Sequence, residues 1–179
     1  MPKLTQQELS QIKDFAAKVG QARVGRDRAN NDQGNHRILR EITGKVGEVG
    51  ARKELGYGAV DFTVYKGTKT LVKNTAFDLA PNIHVKTCNL KYRATKYDGF
   101  LVGLSDSIVK APQKEDKIIL VYADESGNYE VVGYVYVSEV AHLYKPPVNT
   151  NLLHKIALYT KDIEDYVRPI EEIIGGRSL

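Results

Sequence analysis

The hydrophobic residues of this chain change their spacing once, and that change limits the folds open to it. Up to about residue 55 they recur at helical intervals. The run T-Q-Q-E-L-S-Q-I-K-D-F-A-A-K-V puts Leu9, Ile12, Phe15, Ala16 and Val19 on one helical face, and Thr5 with Glu8 forms a capping box at its start. Gly20 reads as its stop. A second helix is expected from about residue 36 to 55, with Ile38, Leu39, Ile42, Val46, Val49 and Leu55 turned inward. Beyond it the period falls to two. A-V-D-F-T-V-Y-K, T-L-V, F-D-L, I-H-V-K-T-C, G-F-L-V-G-L, K-I-I-L-V-Y-A-D and Y-E-V-V-G-Y-V-Y-V all read as strands, with E-S-G-N as the hairpin turn between the last two. After Tyr144 the stretch K-P-P-V-N-T-N interrupts, and two short helices are predicted, about 151 to 158 and 162 to 174. Helices, mostly hairpin-linked strands and helices again make an α+β fold, a mixed sheet flanked by helices.

The 179 residues suit one domain with a proper core. It divides into an N-terminal helix and basic loop (1–35), a core (36–145) and a C-terminal helical part (146–179). One cysteine rules out an internal disulfide framework and fits a reducing compartment. No apolar run approaches the roughly 20 residues of a membrane helix, and the N-terminus lacks a signal-peptide core. A cytoplasmic location is the expectation.

The net charge is +4, but its distribution says more than the sum. Arg23, Arg26, Arg28, His36, Arg37 and Arg40 crowd one early segment, and Lys91, Arg93 and Lys96 follow the I-H-V-K-T-C strand. The acids gather late, in D-I-E-D-Y-V-R-P-I-E-E. A basic front facing a polyanion is the reading. Gly44, Gly47 and Gly50 stripe the second helix, each at a cost of about 1 kcal/mol against alanine, and let its backbone approach a neighbour closely.

Alternation along I-H-V-K-T-C places Ile83, Val85 and Thr87 on one face and His84, Lys86 and Cys88 on the other. His84 and Lys86 then stand roughly 6–7 Å apart. Asp78 lies across a Pro-Asn turn from them, and Glu48 sits in the glycine-striped helix. Cys88 is roughly 13 Å from His84 along a strand, too far for the two to share one ion. Asp61 is a rival carboxylate, read as a turn or cross-strand residue, and His36, His142 and His154 read as structural.

These residues resemble the PD-(D/E)xK nucleases of the restriction-endonuclease-like fold. The helix glutamate of that family matches Glu48 in G-E-V-G-A-R-K-E-L, its hairpin aspartate matches Asp78 in F-D-L, and its lysine matches Lys86 in H-V-K-T. The likeness covers about residues 36 to 125. It implies that the acids hold Mg²⁺ or Mn²⁺ and that the lysine supports the attacking water and the phosphate. The pattern departs at two points: no proline precedes Asp78, and His84 stands where the family has an acid. His84 is a substituted metal ligand, a proton acceptor, or the mark of a site that no longer cuts.

Phosphodiester hydrolysis suits such a set. A cation polarises the phosphoryl group and acidifies water, hard cations take oxygen ligands, and a nearby ammonium stabilises charge growing on the phosphate. The resemblance therefore implies a metal-dependent DNA endonuclease, with Glu48, Asp78 and His84 on the metal and Lys86 as catalytic cation. Arg23, Arg26, Arg28, Arg37, Arg40, Lys91, Arg93 and Lys96 would grip double-stranded DNA. Enzymes of that fold often dimerise to cut both strands, so the resemblance extends to a homodimer. Two other classes stay open: a nucleic-acid-binding protein of the same fold without cleavage, and a protein-interaction or inhibitor domain that works through its acidic C-terminal helix.

Overall fold

The computed structural model describes residues 1–23, 34–58, 60, 62, 79–80 and 82–175, with the side chains of 20–23 and 34–37 left aside. Of the predicted strands between 59 and 79, only Val60, Phe62 and Leu79 fall among these residues; Asp61 and Asp78 lie outside them.

Helix α1 spans Gln6–Arg23 and helix α2 Gly34–Glu54. The capping box forms as the sequence requires. Thr5 N–H donates to Glu8 Oε2 at 2.7 Å, and Glu8 N–H donates to Thr5 Oγ1 at 3.2 Å. Burial works against the ionised Glu8, but the Thr5 bonds and Lys53 of α2 outweigh it and lower its pKa. Gly20 does not end α1, which runs on to Arg23. A lone glycine costs a helix only about 1 kcal/mol, less than the packing of α1 against α2 restores.

Five strands follow: β1 Ile83–Asn89, β2 Gly99–Gly103, β3 Lys117–Ala123, β4 Tyr129–Tyr136 and β5 Lys155–Tyr159. Short helices α3 Ser107–Lys110, α4 Val137–Val140, α5 Thr160–Ile163 and α6 Glu171–Gly175 lie between and after them. The main sheet has the order β1-β3-β4, with β1 parallel to β3 and β3 antiparallel to β4. The fold is thus α+β with a mixed three-stranded sheet. The β3–β4 hairpin closes where predicted, with Asp124 N–H bonded to Asn128 O at 3.0 Å and Gly127 at φ 89°. Strands β2 and β5 form a separate antiparallel ribbon.

The ribbon overturns one expectation. K-I-A-L was predicted to end a helix at 151–158, but Lys155–Tyr159 is strand β5, in register with Gly99–Gly103. Five residues cannot establish a period, and pairing with β2 decides their conformation. The second predicted C-terminal helix is likewise two short pieces, α5 and α6, with a 3-10 turn at Glu164–Tyr166 after α5.

Two apolar clusters pack on the two faces of the sheet. On one, Ile83, Val85, Ile119 and Val121 meet Ile12, Ala16, Ile42, Val46 and Val49 of the long helices. On the other, Cys88, Ile118, Leu120 and Val135 meet Phe100, Val102, Ile108 and Leu158. The glycine stripe acts on the first face. A Cβ on Gly47 would run into the Thr87 side chain, and one on Gly50 would lie 2.5 Å from the Tyr129 ring, whereas Gly44 has nothing within 4 Å. Leu39, predicted inward, is 41% exposed at the N-terminal half of α2, ahead of the part that covers the sheet.

Candidate active site

The chain reverses just before β1. Ile83 N–H donates to Ala80 O at 3.0 Å and Leu79 N–H to Ile83 O at 3.3 Å, which delivers β1 with the predicted alternation. Ile83, Val85 and Thr87 face α2. His84, Lys86 and Cys88 face the ribbon side.

Lys86 does not reach solvent freely. Its Nζ lies 2.8 Å from Asp106 Oδ2, and both side chains are mostly buried. Asp106 is set by the local sequence S-D-S-I, in which it caps α3: its Oδ1 accepts from Ile108 N–H at 3.4 Å. Burial raises the Asp106 pKa, but the Lys86 ammonium, the Ile108 amide and His84 outweigh it and hold the carboxyl below its usual range.

His84 is 3% exposed, and its Nε2 has no hydrogen-bond partner among the described residues. One other buried side-chain polar atom shares that condition among them, Tyr144 Oη. Burial first, then Asp106, push the Tyr144 phenol up to about 12. Lys155 completes the group from β5. Burial, then the neighbouring Lys86 charge, lower its proton affinity, and Asp106 and Glu41 oppose them. Within this group Lys86 and Asp106 are in contact, and the Asp106 carboxylate also acts on Tyr144 and Lys155.

Of the residues predicted to act, His84 and Lys86 come together. Glu48 rides on α2, which covers the opposite face of β1, and its carboxylate pairs with Lys45 one turn earlier on the same helix. Asp78 lies outside the described residues. Among the described residues no three His, Cys, Asp or Glu side chains stand together as a metal cage.

The predicted phosphate contacts also divide. Arg26 and Arg28 lie outside the described residues, as do the side chains of Arg23 and Arg37. Arg40 is exposed on α2, and its charge is felt at Lys155. Arg93 is committed within the fold. Its guanidinium holds Glu130 through both oxygens at 2.6 and 2.9 Å and lies 5.0 Å from the Tyr122 ring centre. Lys91 and Lys96 stand over Tyr92 and Tyr97 at 5.0 and 5.1 Å, on the exposed segment after β1.

Asp106, Tyr144 and Lys155 escaped the sequence reading. Asp106 carries a legible cap signal, Asp followed by S-I-V-K, but nothing local ties it to Lys86 twenty residues earlier. Lys155 was hidden by the helical reading of its strand. A shallow cleft of about 390 Å³, lined by Glu139, Asp165, Tyr166 and Arg168, shares no residue with this site. Its Arg168 and Glu139 neutralise each other through two hydrogen bonds at 2.6 and 2.8 Å.

Comparison with models of known families, with curated proteins and with solved structures finds no match. The chemistry of the site is therefore read from its own residues.

Proposed function

We propose that this chain is a metal-dependent nuclease that hydrolyses phosphodiester bonds, a DNA endonuclease working on the His84–Lys86 face of β1. The observation that carries the reading is the pairing on that face of a buried imidazole whose Nε2 is unspent with an ammonium pinned by a carboxylate. The ion pair with Asp106 limits the Lys86 rotamers, so the ammonium is placed in advance for a phosphate oxygen. His84 Nε2, buried and unbonded, is suited to hold a cation or accept a proton.

Mg²⁺ or Mn²⁺ would be held by His84, with Asp106 on the same face as a carboxylate. An imidazole donor favours Mn²⁺. When bound, such an ion supplies Lewis acidity toward the phosphoryl group. Glu48, held by Lys45 on the far face, is left outside this site.

Plasmid incubated with Mg²⁺, with Mn²⁺ and with EDTA tests the reading. Nicking in the metal arms, faster in Mn²⁺ and lost in Lys86→Ala, is expected. Lys86→Ala cutting at the wild-type rate sinks it.

A second reading has one observation in its favour: Lys86 already has an anionic partner. On that reading the chain binds nucleic acid without cutting it. It predicts intact plasmid in every arm and an affinity that falls steeply with salt, whereas a flat salt response favours a protein-interaction domain.

A further inference from the structure

We propose that the turn between β1 and β2 is a stacking platform for single-stranded DNA, built on Tyr92 and Tyr97, with Lys91 and Lys96 for the phosphates. The choice of DNA over RNA rests on the nuclease reading; the platform itself rests on separate observations.

The first is an exposed aromatic pair. Residues 91–97 are all exposed, and Tyr92 and Tyr97 keep 39% and 43% of their surface in solvent. Their rings stand 5.7 Å apart, tilted by 56°.

The second is charge. Lys91 Nζ lies 5.0 Å from the Tyr92 ring centre, and Lys96 Nζ lies 5.1 Å from that of Tyr97. Among the described residues neither ammonium has a carboxylate partner. The carboxylates bonded to this turn are spent on other groups. Glu130 holds Arg93 through both oxygens, and Asp98 accepts from the Ala94 amide and from the Tyr122 and Thr160 hydroxyls. Two cations thus border two aromatic rings with no anion of their own. An exposed ammonium is only weakly held by a ring, so each lysine can move to a phosphate and uncover a ring face for a base.

The third is the frame. Asn89 accepts from Lys91 N–H at 3.0 Å, and Thr95 donates to Tyr92 O through its N–H at 3.0 Å and its hydroxyl at 2.6 Å. Tyr97 N–H donates to Thr95 Oγ1 at 3.1 Å. Ala94 sits at φ 58°, held there by its 2.7 Å bond to Asp98 Oδ2. The rings are carried on a backbone set in advance, which lowers the ordering cost of binding.

Stacking selects the partner. A duplex covers the faces of its bases with their neighbours and offers these rings little. An unpaired strand can turn one base onto each ring, and the tilt suits bases that are not stacked on one another. Aromatic faces beside cations that track the backbone hold single strands with little regard to sequence.

The test is fluorescence anisotropy of a labelled oligothymidine in EDTA, with a DNA duplex and an oligouridine of the same length as further arms. Tyr92→Ala and Tyr97→Ala should each weaken oligothymidine binding about five- to tenfold without changing the salt slope, while duplex affinity stays within about twofold. Lys91→Gln and Lys96→Gln should each reduce the slope of log K against log salt on the single strand by about 0.7, the loss of one phosphate contact. Tyrosine variants that bind the single strand like wild type, or that lose duplex and single strand equally, overturn the platform. Oligouridine should bind no tighter than oligothymidine, and tighter binding overturns the assignment to DNA. Should the alanine variants fail to fold, Tyr92→Leu and Tyr97→Leu decide, because they keep the bulk without the aromatic face; wild-type affinity in both rejects the proposal. The two readings fail separately: tyrosine-dependent single-strand binding with intact plasmid in every metal arm removes the nuclease and keeps the platform, whereas plasmid cutting with tyrosine variants at wild-type single-strand affinity does the reverse.

Discussion

The two faces of β1 are built from the same seven residues and could hardly differ more. Toward α2 the strand offers Ile83, Val85 and Thr87, and the helix answers with Val46, Val49 and the bare backbone of Gly47. Toward the ribbon it offers His84 and Lys86, then Cys88 at the apolar end, where burial raises the thiol to about 11 and keeps it inert. The first face is closed by shape alone. The second closes on Phe100, Val102 and Leu158 at one end and on charge at the other. A strand buried on both sides keeps a charge at lowest cost where a partner arrives for it, here Asp106 for Lys86.

The largest expected effect breaks the polar face. Lys86→Ala should lower plasmid cutting at least a hundredfold, about 3 kcal/mol of transition-state stabilisation, while a denaturation curve shifts by about 3 kcal/mol, the cost of leaving Asp106 largely buried and unpaired. A variant that loses its fold as well would mean that Lys86 is a structural ion pair and nothing more.

Next comes the packed face. Gly47→Ala should cost about 2 kcal/mol in urea denaturation, because the methyl meets Thr87 and the helix must shift. Gly44→Ala should gain up to about 1 kcal/mol, since nothing lies within 4 Å of it. Equal changes at both positions would show that close approach to β1 is not what the glycine at 47 provides.

The two faces should also separate by pH. The folded-state pKa of Asp106 is depressed, so its contribution is complete above the ordinary carboxylate value of about 3.9 and disappears as pH falls through the lower folded value. The stability gap between wild type and Lys86→Met, about 3 kcal/mol near neutrality, should therefore narrow on acidification. Gly47→Ala should keep its full cost across the same range. A Lys86→Met gap that stays constant to the acid limit contradicts the ion-pair account.

The smallest effect lies past the end of the strand. Lys91→Gln and Lys96→Gln should each weaken duplex binding by a few tenths of a kcal/mol to about 1 kcal/mol, with a shallower salt dependence and no change in melting. Arg93→Gln should instead destabilise the fold, because it abandons Glu130 and the Tyr122 ring. Comparing its melting curve with that of Lys91→Gln checks the distinction.

Much of this arrangement was legible in the chain. The Thr5–Glu8 box, the inward stripe of α2, the β3–β4 hairpin and the alternation of β1 are local signals, each complete within a few residues. Leu39, Gly20 and K-I-A-L were misread for one shared reason: each fits its local pattern, and a neighbour distant in sequence overrules it. Leu39 lies ahead of the part of α2 that covers the sheet, Gly20 sits in a helix held by α2, and Lys155–Tyr159 becomes a strand because β2 offers it a partner.

The sequence by itself determined that His84 and Lys86 leave β1 on the side away from Val85, because side chains alternate on any strand. It also determined that α2 could lie close to that strand, because Gly47 has no side chain. Only the tertiary structure decided what meets the polar pair. Asp106 arrives through the cap of α3 and bonds Lys86, while the segment leading to β5 sets Tyr144 and the pairing of β5 with β2 sets Lys155. These meetings join residues twenty to seventy positions apart, and a local pattern carries no information about contacts that only chain closure creates.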